Sequence, residues 1–247
     1  MSTKRTAMIL AAGKGTRLAE LTQDQPKALV KINGVSLLER VIINLEKQGF
    51  RHFVINVHHF ADQIIAHLQQ PQYQQLNINI SDERDAFLET GGGLLKARNF
   101  FTNSKSVLVH NVDILTNPDL MAITTQFEKS GDMAWLLTQE RHSGRKLLFN
   151  KTQELIGWKH LEKSEFKWVD QAFTNYTELA FSGIHLFKPV MLDKLQTRYG
   201  SIIELYLRLA KTNAVKSRLI KPDYWFDMGK FAEFHTIENY FKQIETI

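Results

Sequence analysis

The sequence predicts an α/β protein, a doubly wound, mostly parallel sheet covered by helices on both faces. Three observations carry this. Short apolar runs alternate with amphipathic stretches through residue 130. The first apolar run ends directly in a glycine turn, and the later ones end in polar residues. The 247 residues are 43% hydrophobic and 23% charged, enough for a sizeable core and too apolar for disorder. Right-handed crossovers place strand C-terminal ends along one edge, so Gly13, His58, Asp113 and the glycines after the third strand are expected to collect there.

The elements follow in order. Residues 6–10 form a buried strand running into Ala11-Ala12-Gly13-Lys14-Gly15-Thr16-Arg17. Leu37, Leu38, Val41, Ile42 and Leu45 recur at helical spacing. Ser36 is the N-cap, Glu39 completes a capping box, and Gly49 is the stop. Residues 53–57 are a second strand. Residues 61–69 are a second helix, with Ile64, Ile65 and Leu68 on one side. A third strand spans 77–80, and a helix over 94–99 follows three glycines. A fourth strand, 107–109, ends at His110-Asn111-Val112-Asp113. Residues 118–129 read as a helix capped by Asn117, with Pro118 at its first position.

Beyond residue 130 the pattern is less regular. A strand spans 133–138, a hairpin joins 146–150 to 154–158 around Lys151-Thr152, and a long strand spans 178–187. Helices are expected over 202–211 and 231–244. Residues 159–177 mix aromatic and charged side chains and take no assignment. No repeat or low-complexity linker marks a boundary, so 1–247 reads as a single domain.

Composition removes several function classes. Without cysteine there is no disulfide scaffold, zinc-thiolate site, iron–sulfur cluster or cysteine nucleophile. The 31 Lys+Arg and 26 Asp+Glu leave a net charge of +5, which suits either a solvated surface or an anionic ligand such as phosphate. Nucleic acid is not an expected partner, because no dense basic run or aromatic-plus-basic ladder occurs. No apolar run approaches the ~20 residues of a membrane span, and the N-terminus lacks the pattern of an export signal. A cytoplasmic location is the expectation.

The strongest local signal is Leu10-Ala11-Ala12-Gly13-Lys14-Gly15-Thr16-Arg17, followed by Pro26-Lys27. Glycines let a backbone approach a phosphate and aim N–H groups at it, while Arg17 and Lys27 supply positive charge. The spacing fits neither a Walker A motif nor a dinucleotide fingerprint. On local sequence alone Asp113 and Asp227 read equally well as caps or turn residues. His58-His59 lacks a third ligand at metal spacing and reads as a polar strand end. The aromatic cluster Trp158, Phe166, Trp168, Phe173 and Tyr176 suits core or a dimer surface better than a sugar platform, so a homo-oligomer is compatible with it.

Together these motifs resemble the sugar-1-phosphate nucleotidylyltransferases. Glu89-Thr90-Gly91-Gly92-Gly93 stands where that family has its second glycine-rich loop, and Asn111-Val112-Asp113 resembles its Asn-Gly-Asp. Phe181-Ser182-Gly183-Ile184 resembles its Ser/Thr-Gly-Ile strand, and Trp225-Phe226-Asp227-Met228-Gly229 its Trp-x-Asp-x-Gly. Within the family, the Glu-Thr-Gly-Gly-Gly loop and the compact length are most similar to the N-acetylmuramate 1-phosphate uridylyltransferases. Heptose-1-phosphate guanylyltransferases and phosphocholine cytidylyltransferases are close in the first half.

The resemblance implies a Rossmann-like nucleotidyltransferase fold, with residues 1–130 as the nucleotide-binding half and 131–247 as the sugar-binding half and C-terminal helices. It implies attack by a sugar 1-phosphate oxygen on the α-phosphorus of a nucleoside triphosphate, UTP favoured, with pyrophosphate leaving. Guanylyl transfer to heptose or mannose 1-phosphate and cytidylyl transfer to phosphocholine are the alternatives. So is a non-catalytic nucleotide-sugar-binding subunit, which the presence of all four of Arg17, Lys27, Asp113 and Asp227 disfavours.

By the same resemblance Arg17, Lys27, Asp113 and Asp227 are catalytic, and Asp113 and Asp227 bind one Mg²⁺. Ala11, Ala12, Gly13, Lys14, Gly15, Thr16, Arg17, Lys27, Glu89, Thr90 and Gly91 bind nucleotide, and Asn111, Ser182 and Gly183 bind the sugar. Val112 stands where the family has glycine and is expected to add bulk where the sugar or ribose passes.

Overall fold

The structure is a computed structural model that describes residues 4–13, 15, 21–86, 88–193, 195, 200–212, 214–229 and 234–245. The strands of the first half are β1 (Lys4–Leu10), β2 (Lys31–Ile32), β3 (Val35–Ser36), β4 (His52–Val57), β5 (Asn77–Asp82), β6 (Ser104–Asn111) and β7 (Ile114–Thr116). Those of the second half are β8 (Ala134–Gln139), β9 (Arg145–Phe149), β10 (Leu155–His160), β11 (Glu165–Trp168), β12 (Thr177–Phe187), β13 (Val215–Leu219) and β14 (Trp225–Asp227). The helices are α1 (Leu37–Lys47), α2 (Ala61–Leu68), α3 (Glu89–Lys96), α4 (Leu120–Ser130), α5 (Ile202–Leu209) and α6 (Phe234–Glu245).

The chain divides into two compact units. The first holds Ala7–Phe87, His110–Met121 and Pro222–Ile247, and the second holds Met1–Thr6, Leu88–Val109 and Ala122–Lys221.

In the first unit β1 lies beside β4, and β4 pairs in parallel with β5, from His52↔Asn77 to Val57↔Asp82. The predicted capping box is present: Ser36 Oγ accepts from the Glu39 N–H at 3.1 Å, and Leu37, Leu38, Val41, Ile42 and Leu45 are buried. A cap of this kind stabilises a helix by about 1 kcal/mol.

One hairpin escaped the sequence reading. β2 and β3 are joined by Asn33-Gly34, both at positive φ (49° and 82°), as a two-residue turn matched to strand twist requires. α4 also starts two residues later than expected. Asn117 is engaged elsewhere, its Oδ1 accepting from Asp223 N at 3.1 Å, while Gln48 Oε1 accepts from Leu120 N at 2.7 Å. β7 and β14 form a short antiparallel ribbon with Asp227 opposite Ile114.

The second unit holds the less regular half. β8, β9, β10, β11 and β12 pair antiparallel in the order β11-β10-β9-β12-β8, and β13 adds to β8 in parallel. The predicted hairpin is β9–β10, and the unassigned stretch supplies β11. β12 carries a bulge between Phe181 and His185, where Gly183 takes φ 83°, a conformation that costs a side-chain-bearing residue strain.

The glycine run is a correction. Helix α3 begins at Glu89, not Leu94, so Gly91, Gly92 and Gly93 lie inside it and are buried. Three helical glycines are unfavourable by propensity, and packing gives the reason for one of them. A Cβ on Gly91 would stand 2.9 Å from the Ser201 carbonyl oxygen, and the Gly91 N–H donates to Gly200 O at 3.0 Å.

Candidate active site

In the first unit the buried run Ala7–Leu10 delivers Ala11 and Ala12, both almost fully buried, to the end of β1. The Ala11 N–H donates to Asn56 Oδ1 at 2.7 Å, and Asn56 Nδ2 donates to Glu83 Oε1 at 2.8 Å, all within the protein interior. Asn56 ends one turn of pleat short of the β4 terminus, and Glu83 follows β5, its own N–H bonded to Val57 O. Three adjacent strand ends are thus tied by one side-chain chain. Sequence reasoning missed both residues. The signal was Asn56, a polar residue inside the apolar run Phe53–Val57.

Gly13 is exposed, and a Cβ there would meet nothing within 4 Å, so its backbone is open to approach. Gly15 is different. Its φ is 66°, and a Cβ would lie 3.1 Å from the Lys27 and Thr22 side chains. Lys14, Thr16 and Arg17 lie outside the described residues.

Lys27 begins a single 3-10 turn after Pro26, whose φ of −70° presets the chain. Its side chain is nearly buried, and Nζ stands 2.5 Å from Asp113 Oδ2. Asp113 occupies the turn between β6 and β7. Asp227 was expected in a loop; it is instead the last residue of β14. The ribbon register sets it opposite Ile114, and the Met228 N–H donates to the Asp113 carbonyl at 2.8 Å, so backbone bonds lock the two aspartates into one corner. Asp227 Oδ1 accepts from Gly229 N at 2.8 Å. Two carboxylates are hard oxygen donors of the kind a small divalent cation prefers, with water or phosphate filling its other positions.

Asn111 is half-buried at the end of β6, and its carbonyl accepts from His110 Nδ1 at 2.8 Å. His110 is wholly buried, and burial lowers its imidazole to about 4, against the smaller upward pull of that bond and of Asp113. Val112 is 5% exposed and donates its N–H to Leu10 O. Its bulk fills the core, where a passing sugar was expected to meet it. His58 is bridged to Phe60, and among the described residues no group of three metal-ligating side chains forms.

The remaining predicted residues belong to the second unit. Glu89 starts α3 at φ 52°. Thr90 Oγ1 accepts from the Ile202 N–H at 2.9 Å, and the space a Gly91 side chain would need is filled by the main chain at Gly200-Ser201. Ser182 is fully buried, with Oγ accepting from Ile184 N at 3.3 Å, and Gly183 sits in the β12 bulge.

The first unit thus brings together a strand-end loop with an open glycine, a lysine–aspartate pair and, on the paired ribbon, a second aspartate. The chain belongs to the nucleotidyl transferase family, whose model matches residues 6–243. It is similar to an N-acetylmuramate alpha-1-phosphate uridylyltransferase of Caulobacter vibrioides, 43% identical over 91% of this chain and 92% of that protein. A protein of the same description from Neisseria meningitidis serogroup B is 29% identical over 81% of both chains. Among solved structures, HddC from Yersinia pseudotuberculosis complexed with GMP-PN superposes with a TM-score of 0.76, covering 96% of this chain and 99% of that one at 20% identity. The expected class is therefore the observed one: Rossmann-like α/β, a mixed, mostly parallel central sheet with helices.

Proposed function

We propose that this chain transfers a uridylyl group from UTP to N-acetylmuramate 1-phosphate, forming a nucleotide sugar and releasing pyrophosphate. The observation that carries the reading is the 43% identity, over nearly the whole of both chains, to the uridylyltransferase of Caulobacter vibrioides.

The sugar phosphate oxygen is already ionised at neutral pH, so no general base is needed. It forms a bond to the α-phosphorus as the bond to the β-phosphate oxygen breaks. The protein's task is to hold two polyanions in line and to offset charge as it moves to the leaving group. In this reading the loop from Ala11 to Gly15 takes the triphosphate, and Lys27 supplies a buried positive charge at its edge. Arg17 supplies a second. Asp113 and Asp227 would hold Mg²⁺, which supplies charge neutralisation of the phosphates when bound. Asn111 is assigned to the sugar side. No helix among the described residues is long and apolar enough to cross a membrane.

The test is pyrophosphate release from UTP, CTP or GTP, each paired with N-acetylmuramate, heptose and mannose 1-phosphates, and CTP also with phosphocholine. The highest kcat/KM is expected for UTP with N-acetylmuramate 1-phosphate. A preference for GTP with heptose or mannose 1-phosphate, or for CTP with phosphocholine, rejects the uridylyl assignment. No turnover with any pair favours a binding subunit.

A further inference from the structure

One face of the antiparallel sheet in the second unit is chemically unusual. In the β9–β10 ladder Lys146 stands directly opposite Lys159, and Lys159 in turn stands opposite Phe166 of β11. Residues directly opposite share a face, so Lys146, Lys159 and Phe166 point the same way. Gly157, Trp168 and Glu178 join them, through the pairs Gly157↔Trp168, Leu148↔Gly157 and Glu178↔Leu148.

Like charges directly opposite one another destabilise a sheet. Glu178 offsets one of the two, being ion-paired with Lys159. Among the described residues Lys146 makes one hydrogen bond, donating to the Arg141 carbonyl at 2.6 Å, and an ammonium group can donate three. Burial lowers its basicity, Glu178 raises it, and the Arg141 and Lys159 charges lower it further. Two lysines directly opposite one another, with Glu178 ion-paired to one of them, are an arrangement on a half-buried surface that an anion at Lys146 would relieve.

Beside the cations lies an aromatic shelf. Phe166 and Trp168 stack with ring centroids 5.6 Å apart and planes 10° from parallel, and Phe166 is 45% exposed. Gly157 makes room for it: a Cβ there would come within 2.9 Å of Trp168 Cε3. The cluster also connects to the bulge, because Arg141 donates to Phe181 O at 3.0 Å, and Phe181 precedes Ser182-Gly183.

We propose that this face is a subsite for the carboxylate of an acidic sugar, with Lys146 as the principal ligand, Lys159 beside it, and the Phe166–Trp168 shelf packing against the sugar's apolar side. Ammonium–carboxylate bonds shielded from water are stronger than neutral ones, and aromatic faces suit the C–H surface of a sugar ring. The inference rests on the proposed substrate, since N-acetylmuramate differs from N-acetylglucosamine by a lactyl ether that carries a carboxylate.

The experiment compares Lys146→Met and Lys146→Arg with the unmodified protein, using N-acetylmuramate 1-phosphate and N-acetylglucosamine 1-phosphate with UTP. In Lys146→Met the ratio of kcat/KM for the acidic over the neutral sugar should fall roughly 10- to 100-fold, and Lys146→Arg should restore most of it. Thermal stability should hold or rise, because a like-charge pair is removed. Equal losses on both sugars, or a loss explained by a lower melting temperature, overturn the subsite.

A second measurement separates this proposal from the substrate assignment. Titration calorimetry with free N-acetylmuramate and N-acetylglucosamine, in the presence of UTP, should show tighter binding of the acidic sugar that Lys146→Met abolishes. That result sustains the subsite even if turnover favours another sugar phosphate. Equal binding of both sugars rejects it, and a switch from dimer to monomer on altering Phe166 would assign the shelf to self-association instead.

Discussion

Lys27 and Asp113, 86 residues apart, form an ion pair of 2.5 Å in which the side chains are 9% and 22% exposed. The lysine engages Oδ2, and the carbonyl of the same aspartate is held by the Met228 N–H. One residue is thereby fixed through both its side chain and its backbone, and the backbone bond comes from the segment that carries Asp227. A cation is thereby held against the Asp113 carboxylate.

Lys27→Ala should therefore act on turnover. If Lys27 acts as proposed, removing its buried charge should cost roughly 10²–10⁴-fold in kcat. Steady-state kinetics alongside a thermal melt checks it. Unchanged kinetics with a lowered melting temperature would make the pair purely structural.

Asp113→Ala and Asp227→Ala should each abolish Mg²⁺-dependent turnover while leaving the circular dichroism spectrum unchanged. Each variant removes one of two hard oxygen donors. Near-normal rates at limiting Mg²⁺ in both variants would mean the metal is held elsewhere.

Asn56→Ala should lower stability by about 2–4 kcal/mol, because it strands both the Ala11 N–H and one oxygen of the buried Glu83. It should also raise KM for the nucleoside triphosphate, as the end of β1 loses its anchor. Chemical denaturation and initial-rate kinetics test the two effects separately. A variant as stable as the unmodified protein would show that the network is dispensable.

Two glycine substitutions should behave in opposite ways. Gly91→Ala forces a methyl to within 2.9 Å of a carbonyl oxygen and should cost about 1–3 kcal/mol of stability. Gly13→Ala meets nothing within 4 Å and should fold normally, yet the methyl occupies the open side of the loop and should impair turnover. Denaturant midpoints and kcat for the pair give the comparison.

Glu128 sets an acid limit on stability. Burial alone would raise its carboxyl, but bonds from Arg5 and Ser106, with the Arg5 charge and Lys105, outweigh that and pull it down to about 2. A depressed carboxyl stabilises the fold above its unfolded value of ~4.5, and the stabilisation is lost as pH falls towards 2, because the unfolded chain takes up the proton first. Glu128→Gln should therefore flatten the fall in stability over that window by up to about 1.4 kcal/mol per pH unit. Urea midpoints at pH 2.5–5 are the measurement, and an unchanged slope would reject the assignment.

Some of this protein was decided by its sequence alone. Periodicity of 3.6 fixed α1, because its five apolar positions and the Ser36–Glu39 cap are local properties of thirteen residues. Alternating short apolar runs gave the α/β class for the same reason.

Tertiary structure decided what depended on distant partners. Asp227 became a strand end only through pairing with β7, more than a hundred residues earlier. Gly91 entered a helix because Ser201 packs where its side chain would be. Val112 turned inward because its N–H is held by Leu10. Lys146 faces Lys159 because the β9–β10 ladder shifts register by one residue between Leu155 and Gly157; the pairing next to the turn, Phe149 with Leu155, would by itself have set Lys159 opposite Arg145. In each case the local sequence leaves the conformation open, and a hydrogen bond or a packed surface from elsewhere in the fold sets it.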